Sequence, residues 1–453
     1  MNTIYTSEIA QAIGAKCNIN EKVNAISTDS RAIEKGSAFV AIEGENFDGH
    51  NFIKSVLDNG AVCVISHKKQ DFDDERILYV ENTSKALLDI AKMYRNKFDI
   101  KVIGVTGSVG KTTSKDFISC VVSSKYKTLK SEGNENNEIG LPKTVFKLNE
   151  SYEACVLEMG MSNFGEIEEL TMVAQPNIAV ITNIGVCHLE YLKTRENILK
   201  AKLEICDGMK ENSPLILCGD NDLLKEVNLP KFKMITYGIE NSQSDILASD
   251  IVEENGQSKF EVHINENTFS AVIPTIGKHN VLNALAAIAV GREMNITIED
   301  CISALKNYEP SGMRQNIVNI NGIIIVEDCY NASPDSMKAA MKTLGEYSND
   351  GRKIAVLADM LELGAISESA HSNIGDMLCE NNIDEAFTFG EKMKLCTKRA
   401  YELGIQAMNY DTKEELTNEL LYSIKPGDVV WVKGSRGMKL EEVIKGIYAK
   451  LGK

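Results

Sequence analysis

The sequence has no uninterrupted apolar run long enough to span a bilayer, and its first residues, M-N-T-I-Y-T-S-E-I-A-Q-A-I-G, lack the basic and apolar blocks of a signal peptide. A cytoplasmic chain without membrane insertion is therefore expected. Positive charge is also in short supply. The 49 Lys and Arg stand against 65 Asp and Glu, and the net charge of −16 argues against general binding to nucleic acid or an anionic membrane. An anionic small substrate would need Lys and Arg concentrated locally. The eleven cysteines lie singly, the closest pair being Cys206 and Cys218, and neither C-x-x-C nor H-x-x-x-H occurs. Reduced core thiols are expected rather than zinc ligands. No solenoid-period repeat or low-complexity linker stands out.

What the chain does have is length and recurrent apolar runs. Its 453 residues suggest about three domains, each able to bury its own core. Up to about Ile100, short strand-like runs (Ala25–Thr28, Ala38–Ile42, Val62–Ser66) mix with helical patterns near Gly49–Gly60 and Ser84–Phe98, as in a small α/β unit. From Lys101 to about Pro310 the runs K-V-I-G-V-T, A-C-V-L-E-M, I-A-V-I-T-N and P-L-I-L-C-G predict a mostly parallel sheet covered on both faces. Beyond Pro310 the grammar repeats in G-I-I-I-V-E-D, R-K-I-A-V-L-A-D, E-A-F-T-F-G and D-V-V-W-V-K-G, a second doubly wound unit. The expected fold class is α/β in three domains, 1–100, 101–312 and 313–453.

The most specific local signal is V-I-G-V-T-G-S-V-G-K-T-T over Val102–Thr113, a strand, a glycine-rich turn and a helix start. Such a turn points backbone N–H groups at phosphate, Lys111 adds a mobile cation, and Thr112 offers a hydroxyl to Mg²⁺. The usual pattern places its first Gly where Val105 stands, so T-G-x-x-G-K-T is a variant cradle, the bland alternative being an ordinary strand-to-helix turn. Gly107, Ser108, Val109, Gly110, Lys111, Thr112 and Thr113 are its candidate residues.

Polar residues stand where the following strands end. Glu158 and His188 could complete Mg²⁺ coordination beside the cradle, with Asn183 close by, although a lone histidine is also an ordinary loop residue. Lys202 reads by itself as one more solvated lysine, with Lys200 beside it. Asn280 and Asn283 open an apolar helix and could face a ligand or merely start it. Arg314, after P-S-G-M, lies at the junction of the second and third units, where a cation could grip phosphate on domain closure or simply sit on a linker. Asp328 ends a strand ahead of N-A-S-P-D-S-M, where Ser333 or Asp335 could cap the next helix. G-S-R-G at Gly434–Gly437 is only a fragment of a dinucleotide fingerprint.

In order, T-G-S-V-G-K-T-T, L-E-M-G-M, T-N-I-G-V-C-H-L-E, A-K-L-E-I, G-K-H-N-V-L-N-A-L-A-A, M-R-Q, D-C-Y-N-A-S-P-D-S-M and K-G-S-R-G-M resemble the motifs of the Mur ligase family along nearly the whole chain. The runs G-N-E-N-N-E-I-G-L-P, V-L-A-D-M-L-E-L-G and V-K-G-S-R-G-M-K-L-E point to the branch that joins D-alanyl-D-alanine to UDP-N-acetylmuramoyl-tripeptide; the D-N-P motif of the third-residue branch is absent. The departures are Cys187 for a frequent Ala, Glu327 for Asp, Ser333 for Asn and Ala358 for Gly.

The resemblance implies an N-terminal uridine-nucleotide domain, a central P-loop ATPase-like domain and a C-terminal Rossmann-like acceptor domain. It implies ATP-dependent amide formation through an acyl phosphate in peptidoglycan precursor synthesis, by a monomer with two Mg²⁺ ions. Lys111, Lys202 and His188 take catalytic roles, and Thr112, Glu158, His188 and Lys202 hold metal, Lys202 as a carbamate made with CO₂. Nucleotide contacts beyond the cradle are Asn280, Arg314, Asp328 and Asn331. Substrate contacts are Ser30, Arg31, Asp48, Gly49, His50 and Asn137. The competing readings are a ligase of the same family adding the third peptide residue, a non-catalytic regulatory nucleotide-binding module and, more distantly, a nicotinamide-dependent reductase.

Overall fold

The apolar runs of the middle region form the heart of a nine-stranded sheet in which every residue of Ala154–Glu158 and Ile178–Ile181 is buried. Strands covered on both faces must be apolar throughout, and these are. The structure, a computed structural model, describes residues 1–44, 47–254 and 256–452; Glu45 and Asn46 of the N-terminal I-E-G-E-N-F-D-G-H run lie outside it. Across the sheet the order is Thr128–Lys130, Ala154–Glu158, Lys101–Thr106, Ile178–Ile181, Pro214–Cys218, Lys233–Gly238, Ile246–Glu254, Gln257–Ile264 and Asn267–Ile273. The first seven run parallel and the last two complete an antiparallel meander. From Lys101–Thr106 the chain first builds one side of the sheet and then the other. The strand order thus reverses beside that strand, where an open α/β sheet leaves a crevice at its carboxyl end. The meander extends the expected parallel sheet; in Gln257–Ile264 buried and more exposed residues alternate, the period of a strand with one wet face.

Before it, Ala25–Ser27, Ser37–Val40, Cys63–Ser66 and Ile77–Tyr79 make a four-stranded parallel sheet. The helix Thr83–Arg95 then joins this unit to the central one. The Tyr94 hydroxyl donates to the Leu148 carbonyl at 2.7 Å, and the Arg95 guanidinium donates to the carbonyls of Ala174 and Phe98. Side chains of both units share one buried core.

The last unit is a six-stranded sheet in the order Asn316–Ile320, Ile323–Glu327, Val429–Lys433, Lys353–Ala358, Glu385–Phe389 and Gln406–Tyr410, parallel except for its first strand. It has separate cores on its two faces. Residues 306–315 form no regular element. This connection is nevertheless anchored on the helix Lys111–Val122: Tyr308 stacks on Phe117 with centroids 3.7 Å apart, and the Ser311 hydroxyl donates to Asp116, which also accepts from Lys130 at 2.7 Å.

Candidate active site

The cradle sits at the carboxyl end of Lys101–Thr106, the strand at which the order reverses. Gly107 has a φ of 151°, and a Cβ there would lie 1.9 Å from the Thr182 hydroxyl oxygen; Gly110, at φ 83°, precedes the helix Lys111–Val122. Both positions demand glycine. The amides of Ser108 and Val109 are already taken, donating to the Asn183 side chain at 3.1 and 2.8 Å. The anion-facing donors are therefore fewer than the motif suggests and belong to the helix start, where Lys111, Thr112 and Thr113 have no intrahelical acceptors. Replacing Gly107 by Ala is expected to push the turn off Thr182, lowering stability by about 1–3 kcal/mol and raising the KM for ATP. Thermal unfolding and ADP-release kinetics check both effects.

Lys111 extends back along this turn, its ammonium 2.9 Å from the Gly107 carbonyl. One turn deeper the Thr112 hydroxyl donates to Glu158 Oε2 at 2.7 Å, and Asn136 Nδ2 donates to Oε1 at 2.8 Å. Glu158 is 2% exposed, so its carboxylate is fixed and oriented by two neutral donors. Thr112 and Glu158 together present hard oxygens beside the phosphate cradle.

His188 and Lys202 lie behind this surface. Burial, with the Lys111 and Lys202 ammonium groups facing it, depresses the His188 pKa to about 4. The imidazole is thus neutral at physiological pH, the form that ligates metal. Lys202 is 1% exposed and has no hydrogen-bond or ion-pair partner among the described residues; burial and the charge on Lys111 lower its pKa well below the ordinary value. An isolated buried ammonium is costly, so this amine is driven toward its neutral, nucleophilic form. The solvated-lysine alternative fails here.

The opposite wall comes from the connection and the last unit. The Arg314 guanidinium stacks 3.7 Å from the Tyr330 ring centre. Asp328 Oδ2 accepts from Lys433 Nζ at 2.7 Å and from the buried Trp431 indole at 3.2 Å, and Lys433 also donates to the Asn331 carbonyl. A cleft of about 360 Å³ separates the walls, lined by the cradle, Glu158 and Asn280 on one side and Asp328, Asn331 and Lys433 on the other, with Arg314 from the connection. Asn280 and Asn283 do more than start their helix. Asn280 donates to Gln315 and to the Ile276 carbonyl, Asn283 donates to Asn280, and Ser114 of the cradle helix donates to Asn283 at 2.6 Å.

Sequence reading passed over His279, Gln315 and Lys433. Gln315 Nε2 lies 3.0 Å from His279 Nε2, and burial, with Lys433 adding repulsion, depresses the His279 pKa to about 4 although Asp328 pulls the other way. As pH falls below the ordinary 6.5 the unfolded chain takes up this proton while the folded chain does not until about 4, so folding loses stability across that window and none above it. His279→Gln is expected to flatten the fall in melting temperature between those two pH values.

The candidate substrate residues of the first unit are arranged apart from this cleft. Asp29 caps the turn Ser30–Ala32 and pairs with Arg31 at 2.8 Å; hydrogen bonding from that guanidinium lowers the Asp29 pKa to about 2. Asp48 Oδ1 accepts from the His50 amide and lies 2.6 Å from its Nδ1, while Oδ2 accepts from Lys68. Gly49 packs so closely that a Cβ would be 3.0 Å from the backbone of Ile42. Asn137 accepts from the Gly140 amide at the start of the helix Gly140–Phe146, and its neighbour Asn136 reaches into the cleft instead.

The chain matches the Mur ligase family catalytic domain over residues 22–95, the Mur ligase middle domain over 105–291 and the Mur ligase glutamate ligase domain over 313–436. It belongs to the Mur ligase family. Among curated relatives, the UDP-N-acetylmuramoyl-tripeptide–D-alanyl-D-alanine ligase of Bacillus subtilis is 39% identical over 94% of this chain and 93% of its own length. Among solved structures, MurF from Acinetobacter baumannii superposes with a TM-score of 0.91 at 28% identity, covering 99% of both chains. The MurF ligase of Thermotoga maritima in complex with ADP gives 0.86 at 30% identity, covering 94% of this chain and 97% of that one. As in a Mur ligase, three α/β sheets follow one another along this chain. Among the described residues no helix is long and apolar enough to cross a membrane.

Proposed function

We propose that this Mur ligase joins D-alanyl-D-alanine to UDP-N-acetylmuramoyl-tripeptide, consuming ATP and releasing ADP and phosphate, in peptidoglycan precursor synthesis. The observation that carries the reading is one cleft in which a phosphate cradle and the Thr112–Glu158 pair face Arg314 and Lys433. A cleft with cations on both walls can hold a triphosphate and a second anion together. The relatives named for this reaction, matching over nearly the whole chain, support the choice of acceptor. Residues 1–100 serve the uridine nucleotide through Ser30, Arg31, Asp48, Gly49 and His50; 101–312 bind ATP; and 313–453 bind the acceptor.

The residues present fit magnesium: Thr112 and Glu158 offer oxygen, His188 is neutral, and Lys202 is a buried amine without a counter-ion. Thr112 and Glu158 would hold one Mg²⁺; His188 and Lys202 would hold the second, the lysine as a carbamate formed when its amine attacks CO₂ and gives up a proton. Bound Mg²⁺ neutralises phosphate charge.

The terminal carboxylate of the tripeptide attacks the γ-phosphorus, the bond to the bridging oxygen breaks, and ADP leaves an acyl phosphate. Lys111 lowers the repulsion between the two anions. The amine of D-alanyl-D-alanine then attacks the acyl carbon, the C–O bond breaks, and phosphate and a proton depart. Arg314, Asp328 and Asn331 contact ATP from the connection and the far wall, with Asn280 on the near side. The reaction takes place in the cytoplasm on a monomer.

Mass spectrometry of the product from UDP-muramoyl tripeptides, ATP and D-alanyl-D-alanine tests this reading. ADP release with a diamino acid and none with the dipeptide would select the third-residue ligase, and nucleotide binding without product from either acceptor would select the regulatory module.

A further inference from the structure

Side chains at one helix start of the last unit reach the loop that carries His188: Ser333 meets the Cys187 thiol, and Asp335 meets the backbone. Asp335 is the second residue of the helix Pro334–Glu346, whose start is fixed by the reciprocal Ser333–Ser336 cap and by Pro334. Its Oδ2 accepts from the Val186 backbone amide at 3.0 Å. The approach is so close that a Cβ on Gly185 would lie 2.1 Å from that oxygen. On its other side the Gly185 amide donates to the Ser108 hydroxyl of the cradle at 2.9 Å. The segment is therefore pinned between the cradle and the far wall. His188, three residues beyond Gly185, has a φ of 63°, a left-handed conformation that a non-glycine residue keeps only when its surroundings hold it. Arg195, which donates to the Ile184 carbonyl at 2.7 Å, adds a positive charge facing Asp335.

We propose that Asp335 is a positioning residue: its carboxylate, carried by the last unit, fixes residues 185–188 and so sets His188 in place only while that unit is seated over the cleft. The contact stands on geometry alone; its catalytic consequence rests on the proposed ligase reading. Formation of the acyl phosphate is thereby tied to a cleft from which water is excluded. Without the latch, the intermediate forms in a looser cleft and part of it is lost to water.

The test combines hydrogen exchange of the 184–188 segment in the full-length, nucleotide-free protein with the ratio of ADP released to peptide ligated. Asp335→Ala should exchange about tenfold faster at Val186, the loss of one charge-assisted hydrogen bond, and should release more ADP per product. Asp335→Asn keeps an acceptor oxygen and should restore both readings toward wild type. Gly185→Ala, which displaces the carboxylate from the other side, should reproduce the Asp335→Ala behaviour. Unchanged exchange and ratio in Asp335→Ala, or equal losses in the Asn and Ala variants, would overturn the proposal. If the wild-type protein ligates no dipeptide, the functional reading fails while the exchange measurement still decides the latch.

Discussion

Lys111→Ala is expected to lower kcat by about a thousandfold or more while leaving the melting temperature nearly unchanged. The side chain is half-buried and its hydrogen bonds go to carbonyls of its own turn, chiefly Gly107, so little of the fold depends on it. Its charge matters for chemistry because the reaction brings a carboxylate onto a triphosphate, two anions that repel. The helix amides at Lys111–Thr113 can cradle phosphate without the lysine, so ATP binding should weaken much less than turnover. Steady-state ADP release, set beside nucleotide binding by calorimetry, separates the two effects. A variant within tenfold of wild type would remove Lys111 from the reaction.

Lys202→Ala should be equally damaging, for a different reason. The ammonium is buried without a partner, and Lys111 lies close enough to repel it. The amine has no polar partner to lose, so truncation should cost the fold only the packing of the buried stem, while turnover is abolished. A total loss of turnover beside a modest loss of stability marks a residue kept for chemistry. If the lysine acts as a carbamate, a short carboxylic acid that enters the space left by truncation should restore part of the rate to Lys202→Ala and none to Lys111→Ala. No loss of rate in Lys202→Ala would exclude it from the metal site.

Much of this could be read from the chain because the strongest signals were local. The apolar runs at Lys101, Ala154, Ile178 and Pro214 are buried on both faces, and the cradle glycines are forced by contacts within a few ångströms of the turn. Glu158 stands at a strand end, and parallel register carries strand ends to one crevice. What escaped were pairings set by the tertiary fold. The meander of residues 246–273 has half-exposed strands whose alternation is a weak signal beside a helix pattern. His279 and Gln315 are 36 residues apart, and the Asp328–Lys433 pair spans 105, so neither partner marks the other in sequence. Asn136 stands beside the substrate candidate Asn137 in a run of polar residues, and only the turn geometry reveals that its amide reaches Glu158. Lys202 could be singled out only by family resemblance, because its lack of a partner is a property of the folded interior.

The core shared by the first and middle units gives the molecule a fixed gauge. Tyr94 and Arg95 bond into the central unit, and the four-stranded sheet is packed through a shared core against the unit that carries the phosphate cradle. A substrate held by its nucleotide end on that sheet would be measured against a constant span, and the length of its peptide would decide whether a terminal carboxylate arrives at the γ-phosphate. Selection of the growing chain by the number of residues already added would then need no side chain that recognises each of them.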